Sequence, residues 1–190
     1  PVHYKGHLIS TDFALDTQLT SLPVLGKENG YQHLWLKAQA QPKAGLSQIT
    51  WLNDNGRFYT SSAVMDGDST IMFTQIGAND PLFNLRNENA FINRKTHAKN
   101  HTFVSVLEPH GEYNPSKEFT ISAVSSIEQL THKKVNNIDV IEISLVGNQH
   151  YVLAFNSAES IKAKQLNSFS HNGENYQFNG RFKLFTLTNK

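Results

Sequence analysis

The sequence contains no cysteine. Disulfide bonds, thiolate metal sites and a cysteine nucleophile are therefore excluded, because each of them needs a thiol. A chain without cysteine is compatible with an oxidising compartment but is not proof of one. The chain opens on Pro1, with neither an initiator methionine nor the charged and apolar regions of a signal peptide. Such a start is expected of a processed chain or of the last domain of a longer protein.

Long apolar runs and a surplus of one charge are missing as well. No uncharged apolar stretch approaches the ~20 residues of a membrane-spanning helix, so none is predicted. The 17 Lys and Arg nearly balance the 16 Asp and Glu, which leaves a net charge of +1. Proteins that bind nucleic acids or membrane surfaces normally carry a clustered basic surplus. The composition therefore predicts neither a nucleic-acid partner nor a membrane partner.

An alternation of apolar and polar residues with a period of two dominates the chain. Ile141–Leu145 alternates cleanly, which predicts a strand with one face in solvent, whereas Thr102–Leu107 predicts a strand buried on both faces. Similar patterns predict strands at His3–Ser10, His33–Gln41, Ser47–Asn53, Arg57–Met65, Thr70–Ile76, Phe119–Ile127, His150–Asn156 and Arg181–Thr188. Gly147-Asn148 predicts a tight hairpin. We expect an all-β fold, either an antiparallel β-sandwich or stacked antiparallel sheets.

The chain reads as one domain that spans residues 1–190. No linker rich in Pro, Gly or Ser divides it, no internal repeat is visible, and its length is enough to bury a sizeable core. Thr20–Gly30 and Gly77–Lys99 are predicted to be long loops. Apolar residues within the second loop, such as Leu82 and Phe91, predict that it packs against the domain.

The common signatures of metal and nucleophilic sites are not found. His97 and His101 are four residues apart, but the segment lacks a helical apolar stripe and carries two lysines that would repel a cation. There is no HExxH, no GxSxG and no glycine-rich phosphate loop. The sequence therefore predicts no bound metal and no cofactor.

Two polar clusters are candidates for a binding site. Glu108 and His110 flank Pro109 at the predicted end of a strand, where a fixed backbone direction suits binding or proton transfer. The alternative is a turn in which both side chains bind nearby backbone groups. Arg86 follows a run of Asn and Asp residues and could bind carboxylates or sugar hydroxyls, or it could form a structural ion pair with Asp80. Arg94 lies in the same predicted loop.

An aromatic face is predicted near the N-terminus. Tyr31, His33 and Trp35 alternate along a predicted strand and so would share one face. Such a face is a common platform for sugars, and it is equally common as plain sheet packing.

Four ordered motifs together resemble a known family. They are Gly30-Tyr31-Gln32-His33-Leu34-Trp35, then Ile49-Thr50-Trp51-Leu52-Asn53 with Arg57-Phe58-Tyr59, then Gly77-Ala78-Asn79-Asp80-Pro81 with Asn84-Leu85-Arg86, then Leu107-Glu108-Pro109-His110-Gly111. This set resembles the C-terminal β domain of heparinase II/III-like polysaccharide lyases, and most of all that of the oligoalginate lyases. The resemblance covers about Pro1 to Ile127 and weakens towards Lys190.

The resemblance implies a fold and a reaction. Such lyases join an N-terminal α/α toroid to β-sheet domains and cleave 1,4-linked uronates by β-elimination in the cleft between them. The carboxylate is neutralised, a Tyr or His removes the C5 proton, and the O4 leaving group is protonated. Because the C5–H is weakly acidic, the developing enolate needs hydrogen-bonding or positive partners. In the family these groups come mainly from the toroid and the first β segment, so no catalytic residue is expected in this chain.

The expected role is therefore that of a C-terminal domain that walls the cleft, inactive on its own. The substrate-binding candidates are Glu108, His110, Arg86, Arg94, Tyr31 and His33. The expected partners are a uronate oligosaccharide or polysaccharide and the toroid domain of the same protein, in the periplasm or secreted. Two alternatives stay open, a non-catalytic carbohydrate-binding sandwich that uses the Tyr31 face and a purely structural domain.

Overall fold

The structure, a computed structural model, describes residues 2–4, 7–18, 26, 31–77 and 87–187. These residues form fifteen β-strands and one short 3-10 helix, Tyr31–His33. The strands are β1 (Val2–Tyr4), β2 (His7–Thr11), β3 (Leu34–Ala40), β4 (Gly45–Leu52), β5 (Arg57–Met65), β6 (Ser69–Gly77), β7 (Asn87–Lys95), β8 (Ser105–Asn114), β9 (Phe119–Ile121), β10 (Ile127–Val135), β11 (Ile138–Leu145), β12 (Gln149–Asn156), β13 (Leu166–His171), β14 (Glu174–Asn179) and β15 (Phe182–Leu187). A helix able to cross a membrane is absent from this described part of the chain. The all-β prediction is confirmed.

The strands form four antiparallel sheets. Sheet I has the order β1-β2-β4-β5-β8-β9, sheet II the order β3-β6-β7, sheet III the order β10-β11-β12-β15, and sheet IV consists of β13 and β14. Because successive residues of a strand point to opposite faces, each sheet can pack against a different neighbour on each side.

Sheet I is covered on both faces. On one face, Ile49 and Ala63 pack with Ile71 and Phe73 of sheet II. On the other face, the side chains that alternate with them meet sheet III. That second cluster joins Leu46, Val64, Val104 and Val106 to Ile127, Leu130, Ile141, Ile143 and Leu145. The chain is therefore a stack in which sheet I lies between sheets II and III.

Sheet III is also covered twice. Its second face carries Val140 and Val152, which pack against Phe169, Tyr176 and Phe178 of the sheet IV hairpin. The order of the layers is thus II, I, III, IV. This arrangement is the stacked antiparallel form of the predicted fold.

Several predicted strand limits are wrong. His3–Ser10 is two paired strands, β1 and β2, rather than one strand. Phe119–Ile127 is interrupted, because β9 ends at Ile121 and the chain then crosses from sheet I to sheet III before β10 begins. The link between β9 and β10, residues 122–126, contains no glycine, so its turn residues gave no signal of this break.

The prediction of a long loop over Gly77–Lys99 is wrong where the structure describes it. Nine of those residues form β7, which pairs along its whole length with β6. Asn has a low strand propensity. In a prediction from sequence, the many Asn residues of β7 therefore outweigh the strand pattern of Ala90 and Ile92. Residues 78–86 of that loop, and all of Thr20–Gly30 except Gly26, lie outside the described residues. The hairpin β13–β14 was also missed.

Two predicted burial patterns are wrong. Thr102–Leu107 is not buried on both faces, because Phe103 is 58% exposed and Leu107 60% exposed. In β11 the polar face is not in solvent, since Ser144 is buried and Glu142 contacts sheet IV. Periodicity shows which residues share a face, but the layers that cover that face come from elsewhere in the chain.

The hairpin prediction at Gly147-Asn148 is confirmed. β11 pairs with β12 from Leu145↔Gln149 outward, and both turn residues have positive φ, +85° for Gly147 and +60° for Asn148. Asn and Gly tolerate this left-handed conformation, which a tight antiparallel turn requires.

Candidate functional site

The carboxylate of Glu108 is bound by the segment that links sheet I to sheet III. Glu108 lies in β8 on the face turned towards sheet III. Ser125 Oγ donates to Glu108 Oε2 over 2.5 Å, and Ser126 Oγ donates to Oε1 over 2.5 Å. The backbone N–H of Ser126 donates to both oxygens, at 3.1 and 3.2 Å. Both carboxylate oxygens thus hold the connector in place.

These contacts set the charge of Glu108. Partial burial by itself raises the pKa of the carboxyl, because it disfavours the charged form. The hydroxyls of Ser125 and Ser126 and the N–H of Ser126 outweigh that effect, so the pKa of Glu108 lies below its ordinary value. The side chain is therefore an anion at neutral pH that only accepts hydrogen bonds.

His110 lies two residues further along the same face, and both of its ring nitrogens are engaged. Nδ1 lies 2.8 Å from the carbonyl oxygen of Ser122, and Nε2 lies 2.8 Å from Thr60 Oγ1. A carbonyl only accepts, so Nδ1 carries the proton and donates to it. In the neutral ring Nε2 then accepts from Thr60, and Thr60 accepts from Thr50 over 2.7 Å. A chain of hydrogen bonds thus crosses β4, β5 and β8.

Three segments of the family-like motifs lie on adjacent strands. Ile49–Asn53 is on β4 and its end, Arg57–Tyr59 is on β5, and Leu107–Gly111 is on β8. On one face Trp51 stacks on Tyr59, with ring centroids 5.8 Å apart, and on the other Phe58 stacks on His110, at 6.1 Å. The motifs are separated in sequence but form one patch of sheet I.

The strand predicted for Tyr31 and His33 is wrong. These residues form the 3-10 helix, and β3 begins at Leu34. Tyr31, His33 and Trp35 therefore do not alternate along one strand face. Tyr31 remains 38% exposed at the surface, and His33 is partly buried.

Arg94 is separated from the other candidates. Arg94 is exposed near the end of β7, where it pairs with Thr70. The helix that holds Tyr31 and His33 precedes Leu34, which pairs with Ile76 at the opposite end of sheet II. Arg86 lies outside the described residues. The structure therefore brings Glu108 and His110 together, and it places Arg94 and the Tyr31 helix at other positions. Their contacts with a substrate stay predictions.

The sequence reasoning missed the partners of Glu108 and His110. Ser125 and Ser126 fall within the strand predicted at Phe119–Ile127, but they lie in the connector and bind Glu108. Thr50 and Thr60 were not singled out. The sequence offers only one signal for these partners, which is that Ser and Thr residues occur near Glu108 and His110. Ser and Thr are too common for this signal to identify particular partners.

Other titratable clusters lie within sheet III and between sheets III and IV. Asp139, which is 2% exposed, accepts from His132 Nε2 at 2.8 Å within sheet III. Glu142 of sheet III lies 3.1 Å from His171 Nε2 of sheet IV. In the part of the chain that the structure describes, no three His, Asp or Glu side chains are grouped as metal ligands.

No protein-family model matches the chain. The chain is similar to two known proteins. The chain is 38% identical over 180 residues to an alginate lyase of Stenotrophomonas maltophilia (strain K279a), an overlap that covers 95% of this chain and 24% of the relative. It is 36% identical over 172 residues to an exo-oligoalginate lyase of Saccharophagus degradans (strain 2-40), covering 88% of this chain and 23% of that relative.

The chain thus spans about a quarter of the length of the relatives that it matches. An identity of this size over nearly the whole chain means a shared fold for the shared part. Over almost all of its length the chain is therefore similar to part of two alginate lyases, which agrees with the resemblance of its motifs to the oligoalginate lyases.

Proposed function

We propose that this chain is the C-terminal domain of a polysaccharide lyase that cleaves uronate polymers of the alginate type by β-elimination. The observation that carries the proposal is the 38% identity to an alginate lyase over 95% of the chain. The domain would wall one side of the cleft in which the reaction takes place, as in heparinase II/III-like lyases.

The described residues support a wall rather than a complete active site. β-Elimination needs a base at C5–H, a proton donor at O4 and groups that stabilise the enolate. His110 could accept a proton in principle, but Thr60 and Ser122 occupy its two nitrogens. Glu108 is held as an anion, which disfavours contact with a uronate carboxylate because like charges repel. The catalytic groups would therefore come from another part of the lyase, for which we propose an α/α toroid.

The test compares two proteins on oligoalginate, with the ultraviolet absorbance of the unsaturated product as the readout. One is the 190-residue chain, and the other is the product of the complete reading frame that encodes it. We expect product only from the complete protein. Product from the chain alone would show that the division of the active site is wrong. A complete protein with no lyase activity on any uronate polymer would overturn the proposal.

We also propose a periplasmic or secreted location, because a uronate polymer is met outside the cytoplasm. Cell fractionation followed by detection with an antibody against this chain tests the location. Recovery of the protein in the cytoplasmic fraction alone would contradict it.

A further inference from the structure

A cleft of about 520 Å³ lies beside sheet II, on the far side of sheet I from the Glu108 contacts. It forms where the segment after β2 leaves sheet I and joins the edge of β3. Two backbone hydrogen bonds make that junction, from Asp16 N to Gln39 O over 2.8 Å and from Gln39 N to Asp16 O over 2.9 Å. The polar residues that line the cleft are Asp16, Gln39, Gln41 and Thr70. Its volume lies within the ~300–1,000 Å³ of small-molecule sites.

The strand pairing of sheet II places the cation of Arg94 next to this polar lining. Ala40 pairs with Ile71 and Thr70 pairs with Arg94, so continuing the first register by one residue sets Gln41 beside Thr70. Ile71 faces the core, and its neighbour Thr70 therefore faces the outer side of the sheet. With strands ~4.8 Å apart, the row Gln41, Thr70 and Arg94 is ~10 Å long.

The row has a charge at one end only. Arg94 is exposed and no carboxylate of the described residues forms an ion pair with it, whereas the neighbouring Lys95 is held by Asp66 at 2.9 Å and by Asp68. Asp16 lies on the other side of β3, where its Oδ1 accepts from the N–H of Gln18 over 3.0 Å. Along the outer side of sheet II the order is thus the acceptor Asp16, then the amides and the hydroxyl of the cleft lining, and then Arg94, which lies on the next strand beyond the lining residues.

From this arrangement we infer that the cleft and the adjoining end of β7 together form a subsite for an acidic oligosaccharide. Asp16 and the glutamines of the cleft would bind hydroxyls, and Arg94 beside the cleft would bind a uronate carboxylate. The inference rests on the proposed function and adds a second contact surface to it. A guanidinium presents a forked donor that fits a carboxylate, and amides and Asp are suited to sugar hydroxyls. The carboxylate would lie at the Arg94 end, because Asp16 repels it from the other.

The test measures binding of short oligoalginate to the 190-residue chain by titration calorimetry, with a neutral gluco-oligosaccharide of equal length as comparison. We expect Arg94→Gln to weaken oligoalginate binding about tenfold, which corresponds to the loss of one charge-assisted contact. Arg94→Lys should restore part of the affinity, because it keeps the charge but not the fork. Added salt should weaken binding of the original chain and leave Arg94→Gln less affected.

Arg181→Gln is the matched control, since Arg181 is also exposed but contacts Ala158 and Phe155 beside sheet III. It should bind as the original chain does. Equal affinity of Arg94→Gln and the original chain, or equal affinity for the neutral oligosaccharide, would overturn the inference. The complete lyase separates this result from the proposed function: an active enzyme in which Arg94→Gln changes neither binding nor KM refutes the subsite alone.

Discussion

At the scale of single residues, a structural role of Glu108 and a role in binding substrate predict different effects of mutation on stability and on activity. In the structure its carboxylate accepts hydrogen bonds from Ser125 and Ser126, whereas the family resemblance suggests a contact with substrate. Glu108→Gln removes the charge that strengthens these hydrogen bonds. We expect a loss of about 2 kcal/mol in the free energy of unfolding, measured by urea titration of the chain.

The control is Glu128→Gln, because Glu128 is exposed and shows no side-chain hydrogen bond in the described structure. Its stability should change by less than about 0.5 kcal/mol. If the two variants were equally stable, the connector would not depend on Glu108. In the complete lyase, a lower kcat/KM at unchanged stability would instead support the contact with substrate.

Asp139 makes the stability of sheet III depend on pH. Burial by itself raises the pKa of this carboxyl, but hydrogen bonds from His132 and Ser157 and the charge of Lys134 outweigh burial and lower it. A carboxyl with a lowered pKa in the folded state stabilises fully above its unfolded pKa of about 4. That stabilisation is lost as the pH falls through the folded value.

We therefore expect Asp139→Asn to cost about 2 kcal/mol at pH 7, since it removes the buried anion that accepts hydrogen bonds from His132 and Ser157. The variant should also lose less stability than the original chain as the pH falls below about 5. Urea unfolding at a series of pH values measures both effects. Glu159→Gln, an exposed control, should keep the original pH dependence. Parallel curves for Asp139→Asn and the original chain would contradict this account.

At the scale of elements, β8 depends on the glycine that ends its family-like motif. The register against β5 shifts at Gly111, which has φ of +52°. A Cβ at this position would lie 2.1 Å from the carbonyl oxygen of Ser122, the same oxygen that His110 binds. We expect Gly111→Ala to destabilise the chain by about 3 kcal/mol or more, because both the conformation and the contact with backbone oppose it.

Gly147→Ala separates the two causes in the same urea experiment. Gly147 has φ of +85° but no atom within 4 Å of an added Cβ. Its cost should be only about 1 kcal/mol, the strain of the left-handed conformation alone. Equal costs at the two glycines would mean that the close approach of the connector to β8 does not matter.

The elements also show what could be predicted from the sequence. β5 and β12 were predicted within a residue of their limits, because their patterns and turn residues agree. β7 was missed since its asparagines resemble a loop, and only its pairing with β6 makes it a strand. Glu108 and His110 were recognised as a pair, but their partners Ser122 and Ser125 come from a connector whose path is set by the stacking of two sheets. Such contacts are not encoded in local patterns.

At the scale of the whole molecule, the four layers are not equally protected. β5 lies between β4 and β8 in sheet I and is covered by sheets II and III, and β11 lies between β10 and β12 and is covered by sheets I and IV. Sheet IV has two strands and packs through one cluster. Segments with fewer buried contacts open at lower free energy than the core.

We therefore expect native-state hydrogen exchange to be slowest at the amides of β5 and β11 and faster, by at least about tenfold, at those of β13 and β14. Mass spectrometry of the exchanging chain resolves these segments. Phe169→Ala should increase the difference, because it removes a buried ring that stacks on Tyr176 at 5.0 Å and fastens the hairpin to sheet III. Exchange in β5 should change little in that variant. If β13 and β14 exchanged as slowly as β5, the chain would open as one unit, and the hairpin would be as much a part of the core as the two inner sheets.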